Sequence, residues 1–219
     1  MITTILILAM TEDKGQKGPT RKRRAQETRR GIIRAASEAF CANGYTGTTM
    51  QAVADRAGVA IQTVYFVFHT KAALLSEVFA AAVLGDRPTR PEQTQWYAQA
   101  TTGADPTGSL SAFVEGAAGL LERTAALDEV VRTAAATDPE VMEFHRRSEE
   151  LRAVGYGSFL VSLKQRRFLR RGLNLDEETD AFLGLLGPGM YQSLRRDRGW
   201  THEHYVTWAT NALSRILLR

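Results

Sequence analysis

The chain has 219 residues, 44% hydrophobic and 24% charged, a balance that fits one large globular domain or a small one joined to a medium one, and that is too polar for a membrane protein. Its net charge of +4 is uneven: residues 1–71 hold 11 Lys and Arg against 5 Asp and Glu, whereas residues 72–219 hold 17 against 19, so the N-terminal third is the part suited to a polyanion such as nucleic acid. A lone cysteine, Cys41, excludes an internal disulfide and a Cys-only zinc site, and a reducing, cytoplasmic setting is the simplest expectation.

Residues 1–10, MITTILILAM, are apolar but far short of the ~20 residues that span a bilayer. No charge precedes the run and Glu12 and Asp13 follow it, unlike a secretory signal. No membrane partner is expected. A natural start at Met10 would make residues 1–9 an upstream read-in, and they take no part in the expected fold. Between Lys14 and Arg34 lie nine basic residues and one acid, Glu27, with Gly15, Gly18 and Pro19 in the first half. This pattern predicts a flexible basic arm over residues 1–25.

Ile32, Ile33, Ala36, Ala39 and Phe40 recur at helical spacing and Asn43-Gly44 supplies a left-handed stop, which predicts a helix over 26–42. Thr48 and Gln51 have the spacing of a capping box for a short second helix that ends at Gly58. Residues 60–68, AIQTVYFVF, are rich in strand-formers and taken alone would be a strand. Yet they begin two residues after that Gly, and Thr70 offers an N-cap for a helix over 71–84. Two short helices joined by a turn containing Gly, in a basic domain, describe a helix-turn-helix over 26–71.

The series Phe40-Cys41-Ala42-Asn43-Gly44-Tyr45, Thr48-Thr49, Val53-Ala54-Asp55-Arg56-Ala57-Gly58-Val59, Thr63-Val64-Tyr65 and Phe68-His69-Thr70-Lys71-Ala72-Ala73-Leu74-Leu75 resembles the N-terminal domain of the TetR (tetracycline-repressor) family of bacterial regulators, over Thr28 to Val78. Three positions depart from the family's pattern: Ala60 stands where Ser is usual, Gln62 where Gly is usual, and Ala72 where an acid is usual. Losing a Ser cap would cost the third helix about 1 kcal/mol.

Helical periodicity continues over 109–123, 127–136, 139–166, 176–196 and 201–218, with 87–106 a linker around a short helical piece holding Trp96 and Tyr97. No strand–helix alternation is present, so the fold is expected to be all-α. The resemblance implies that residues 72–219 form a helical ligand-binding and dimerisation domain whose last two helices build a four-helix bundle with a second copy. Phe182, Leu183, Leu186, Met190, Leu194, Val206, Leu213, Ile216 and Leu217 are the expected interface of that homodimer.

Arg23, Arg24 and Arg29 would neutralise phosphates. Thr48 and Thr49, and Thr70 with Lys71, start helices where hydroxyls and free amides suit a phosphate as well as a cap, and His69 adjoins them. Helix 60–68 would present Ile61, Gln62, Thr63 and Tyr65 to the major groove, with Gln62 able to pair with adenine and Ile61 to touch a thymine methyl. Val64, Phe66 or Val67, and Phe68 are assigned to packing, and Cys41 to the core. Phe113, Met142, Phe144, Tyr156, Phe159, Met190 and Tyr191 divide between core and a cavity between helices.

The four histidines make no metal set, since His202 and His204 point to different sides of a helix and His145 with Glu149 makes only two ligands. Gly184 to Gly189 has the glycine density of a phosphate loop, but lacks the preceding strand and the following Lys-Ser/Thr, so close helix approach or a kink at Pro188 is expected instead. No cofactor is expected, and no nucleophile, base and acid can be assembled. The series points to a non-enzymatic regulator, in this family usually a repressor, that binds a palindromic double-stranded DNA operator as a dimer and responds to a small-molecule effector. The alternative is a helical enzyme or small-molecule carrier with an incidental basic arm.

Overall fold

The computed structural model describes residues 19–85 and 90–219. The described residues are helical, with one isolated β-bridge between Leu169 and Leu218. The first helix, α1 (Pro19–Gly47), buries Ile32, Ala35, Ala36, Ala39 and Phe40 on one face and bends at Gly44, whose φ of 68° takes the left-handed region expected of it. It begins before residue 26. Proline suits a first turn because its missing N–H would be unpaired there anyway, and the Arg, Lys, Ala and Gln that follow are good helix formers. Of the expected arm, residues 19–25 are therefore helical, and residues 1–18 lie outside the described residues.

Thr49, not Thr48, caps α2 (Met50–Ala57), accepting from the Ala52 amide at 3.0 Å, while Gln51 turns to Asp55 at 2.7 Å. The Thr48/Gln51 capping box does not form. Gly58, φ 66°, ends the helix as expected. Residues Ile61–Phe68 form a helix, α3, with no side-chain cap at Ala60. Strand propensity is overridden because Val64 and Phe68, four apart, dock together into a core that only a helix lets both reach. Thr70 caps α4 (Lys71–Leu84) through the Ala73 amide at 2.9 Å.

After a 3₁₀ turn at Pro91–Gln93 come α5 (Gln95–Thr102), α6 (Pro106–Ala135), α7 (Pro139–Gln165), α8 (Leu175–Leu185), α9 (Pro188–Gln192) with a π turn at Ser193–Asp197, and α10 (His202–Leu217). Where two helices were expected over 109–136, α6 is continuous. Its apolar pattern shifts because it serves two cores in turn: Leu110 to Ala125 line one, Leu127 to Ala134 the other. Conversely the helix expected over 176–196 breaks at Gly187-Pro188. A Cβ at Gly187 would run into the Leu183 carbonyl, so glycine is what lets the chain turn there.

The two cores explain the architecture. One fills the body between α5–α8, Tyr191 and α10. The other joins α1–α4 to Leu127, Val130, Val131 and Ala134 of α6 and Val141 of α7. The expected boundary at residue 71 thus falls inside a core: Ala72, Leu74, Leu75, Val78 and Phe79 of α4 belong with the N-terminal head. Helix α4 is the covalent link between head and body, but α6 and α7 also pack directly on the head.

Candidate nucleic-acid interface

Helix α3 follows α2 after a three-residue turn and presents an outer face of Gln62, Tyr65 and Phe66, continued by His69. Tyr65 is 48% exposed and Phe66 83%. Ile61 and Thr63 are half-buried at the edge, and Ile61 leans on the head's core. Of the alternatives Phe66 and Val67, it is Val67 that packs inward. Phe66, counted among the packing candidates, stands in solvent beside the expected readers.

Three residues expected to meet DNA are engaged inside the fold. Thr48 is buried, its hydroxyl 2.7 Å from the Gly44 carbonyl and 3.1 Å from that of Ala39, holding the end of α1 against the start of α2. Lys71 donates to the Tyr45 and Thr48 carbonyls at 2.9 and 3.1 Å and lies 4.2 Å over the Tyr45 ring. Arg29 pairs with Glu77 at 2.7 Å and stacks 4.8 Å over Phe68. Each reaches a carbonyl, carboxylate or ring that the fold brings close, and these partners satisfy it before any phosphate arrives.

The remaining candidates face outward. Thr49 is exposed at the start of α2, Arg24 is exposed on α1, and Arg23 is exposed in a surface pair with Glu27 at 3.5 Å. His69 closes α3 at a φ of 59°, a left-handed conformation unusual outside glycine. Thr70 is exposed but its hydroxyl meets both oxygens of Glu140 at 3.1 Å, placing an acid of α7 at the head's edge.

A second tie lies beside it. The Tyr45 hydroxyl donates to Asp138 at 2.6 Å, and Asp138 also caps α7 through the Glu140 and Val141 amides. Burial, and then this bond, push the Tyr45 phenol upward; the same bond holds the Asp138 carboxyl below its usual range. Sequence reasoning missed Asp138 because a capping Asp carries no sign of a partner 93 residues away.

The residues expected to line an effector cavity lie in separate places. Phe113 stacks on Phe159 with centroids 3.9 Å apart, with Tyr156 and Phe182 edge-on or tilted around them, so these rings fill one another's space. Phe144 packs on Phe79 in the head's core and Met142 is exposed, both away from that cluster. Tyr191 lies in the body core against Tyr205, and Met190 faces outward. Of the expected interface residues, Phe182, Leu186, Leu213 and Leu217 are buried within this one chain, because helices at a chain's end still have their own core to cover. Leu183, Met190, Leu194, Val206 and Ile216 remain partly exposed. Cys41, expected in the core, is exposed, being one residue and about 100° past the buried Phe40. Among the described residues no group of three or more His, Cys, Asp or Glu could hold a metal ion, and no single helix is long and apolar enough to cross a membrane.

An exposed second helix of a helix-turn-helix, carried by a basic head on a larger helical body, defines a DNA-binding protein. The model of the bacterial regulatory proteins, tetR family, matches residues 32–78, the span that runs from the first buried turn of α1 into the middle of α4. Residues 32–78 thus carry the DNA-binding domain of that family, and the chain as a whole has the fold of solved TetR-family regulators. A protein from Saccharomonospora viridis described as a transcriptional regulator, in complex with choline, is 19% identical, with a TM-score of 0.70 over 89% of this chain and 99% of that one. NalD, the secondary repressor of the MexAB-OprM multidrug efflux pump in Pseudomonas aeruginosa, is 22% identical, with a TM-score of 0.66 over 89% and 98%. FadR from Bacillus subtilis, in complex with stearoyl-CoA, is 19% identical, with a TM-score of 0.66 over 84% and 95%. At these identities the likeness is one of fold. No curated protein matches the chain in sequence.

Proposed function

We propose that the chain is a ligand-responsive transcription regulator, in its resting state a repressor, that binds a palindromic operator as a homodimer. The observation that carries this reading is the outer face of α3: Gln62, Tyr65 and Phe66 project from the helix that would enter a major groove, and no element among the described residues covers them. Arg24, Arg30 and Arg34, exposed on α1, add the phosphate contacts that position such a helix without reading sequence. Leu183, Met190, Leu194, Val206 and Ile216 support a dimer through the last helices, which would set two reading heads one DNA turn, about 34–36 Å, apart. The repressor named among the similar folds, and the choline and stearoyl-CoA bound to two others, favour release by a small molecule.

The test is selection of duplexes from a random pool, followed by titration of the enriched sequence. A two-fold symmetric site should emerge, and binding should weaken steeply as salt rises. Gln62→Ala should lose about 1–3 kcal/mol of discrimination at one base position per half-site while leaving the thermal unfolding midpoint in place. A pool that never enriches would refute the reading, and an unaltered preference in Gln62→Ala would remove that residue from the readers.

A further inference from the structure

We propose that the groove at the end of α7 farthest from the reading head is an anion site that takes the phosphate end of a small phosphorylated metabolite. The groove has a volume of about 280 Å³ and is walled by Lys164, Arg167, Arg170, Arg171 and Arg219, with no Asp or Glu side chain in its lining. A cavity of that volume is about 8 Å across, about one Debye length at physiological salt, so dissolved ions screen these cations from one another only in part. In the body some arginines are paired, Arg132 with Glu129, Arg146 with Glu143 and Arg152 with Asp128. Among the described residues none of the five groove cations forms an ion pair, although Asp176, Glu177 and Glu178 open the next helix.

Part of this charge has a local reason. Lys164 and Arg167 stand at the end of α7, where unpaired carbonyls favour cations, and Arg219 donates to the Leu169 carbonyl at 3.0 Å. Neither reason accounts for Arg170 and Arg171, or for the backbone of Arg167. That residue closes α7 at a φ of 62°, with its amide bonded to Lys164 and the Phe168 amide bonded to Leu163. In this closing motif the left-handed position ordinarily falls to glycine, which has no Cβ to strain. An arginine in a glycine's place, with its side chain on the groove, points to a use for that side chain.

The walls are preformed. The Arg170 amide bonds to the Leu217 carbonyl at 2.9 Å and Leu169 pairs with Leu218, so the segment after α7 is laced to the segment after α10. Several guanidinium groups around one small volume match a dianion with several oxygens, each able to accept a forked pair of hydrogen bonds, better than a lone carboxylate. The volume suits a phosphate or pyrophosphate group, with the rest of the metabolite lying outside. Operator DNA is not the occupant: the first turn of α7 touches the head at Tyr45, and 27 helical residues carry the groove about 40 Å from there.

The experiment is calorimetric titration of the full chain with inorganic pyrophosphate at physiological salt, with orthophosphate alongside. One saturable site per chain is expected, tighter for pyrophosphate. The double variant Arg170→Gln, Arg171→Gln should weaken it by at least about tenfold, whereas Arg24→Gln, Arg30→Gln in the head should leave it in place. Arg167→Gly separates binding from structure, since it should weaken pyrophosphate while leaving the melting temperature level or higher. Absence of a saturable site would overturn the proposal. So would loss of the site in the head variant but not the groove variant, unchanged affinity in Arg167→Gly, or displacement of pyrophosphate by duplex DNA in the head variant, which would make the groove a nucleic-acid contact.

Discussion

Replacing Tyr45 by Phe removes one oxygen from the contact between head and body and leaves the ring where it is, stacked on Phe40 at 6.1 Å and under the Lys71 ammonium at 4.2 Å. What goes is the 2.6 Å hydrogen bond to Asp138. A bond to a charged group contributes about 1.5–3 kcal/mol in general. Here Asp138 is only partly buried and keeps its two amide partners at the start of α7, so water can replace the lost hydroxyl, and the low end, about 1.5 kcal/mol at pH 7, is expected. The sign with pH follows from Asp138, whose carboxyl is held low chiefly by this hydroxyl. A depressed carboxylate stabilises the fold above its unfolded value, ~3.9, and that contribution is lost as pH falls through the folded value. The Tyr45→Phe penalty should therefore be full at neutral pH and shrink below about pH 4. Urea denaturation across that range, on Tyr45→Phe, Asp138→Asn and the double variant, measures it. A coupling near zero in the double-mutant cycle, or a penalty that grows as pH falls, would refute the reasoning.

Two further outcomes follow from the body. Arg152→Met should destabilise by about 3–5 kcal/mol at pH 7, because Asp128, 7% exposed, loses its buried partner and already has one oxygen without a hydrogen bond. Burial raises the Asp128 carboxyl against the pull of Arg152, so its contribution is fully present below the unfolded value and lost as pH rises through the folded one; the variant should recover stability toward pH 4, read by urea denaturation. Gly116→Ala should expel Trp96, since a Cβ there would stand within the indole, at a cost of about 1–3 kcal/mol. A red-shifted tryptophan emission with the fold intact is the expected signature, and an unshifted spectrum would show that α5 moves instead.

Much of the helical plan was legible because it is written locally. The start of α4 at residue 71 could be placed from Thr70, since a cap acts within three residues of itself, and α7 and α10 could be placed from their apolar periodicity. The head's identity was equally legible, its motif being a series of short-range caps, stops and apolar spacings. What periodicity could not supply was the partner of each side chain. The helical state of Ile61–Phe68 was decided by where Val64 and Phe68 dock, against the preference of the residues themselves. A threonine at a helix start reads the same whether its hydroxyl caps the helix, as in Thr49, or turns inward to Ala39 and Gly44, as in Thr48. Lys71 and Arg29 carry the charge a phosphate would want, yet their partners lie 26 or 23 residues off for Lys71 and on α4 for Arg29. The same holds for Leu213 and Leu217, apolar residues on a terminal helix that could have covered a second copy and instead close this chain's own core. An amphipathic pattern says that a face must be buried; against what is decided only when helices from distant parts of the chain meet, because burial and hydrogen bonding are satisfied by proximity in space.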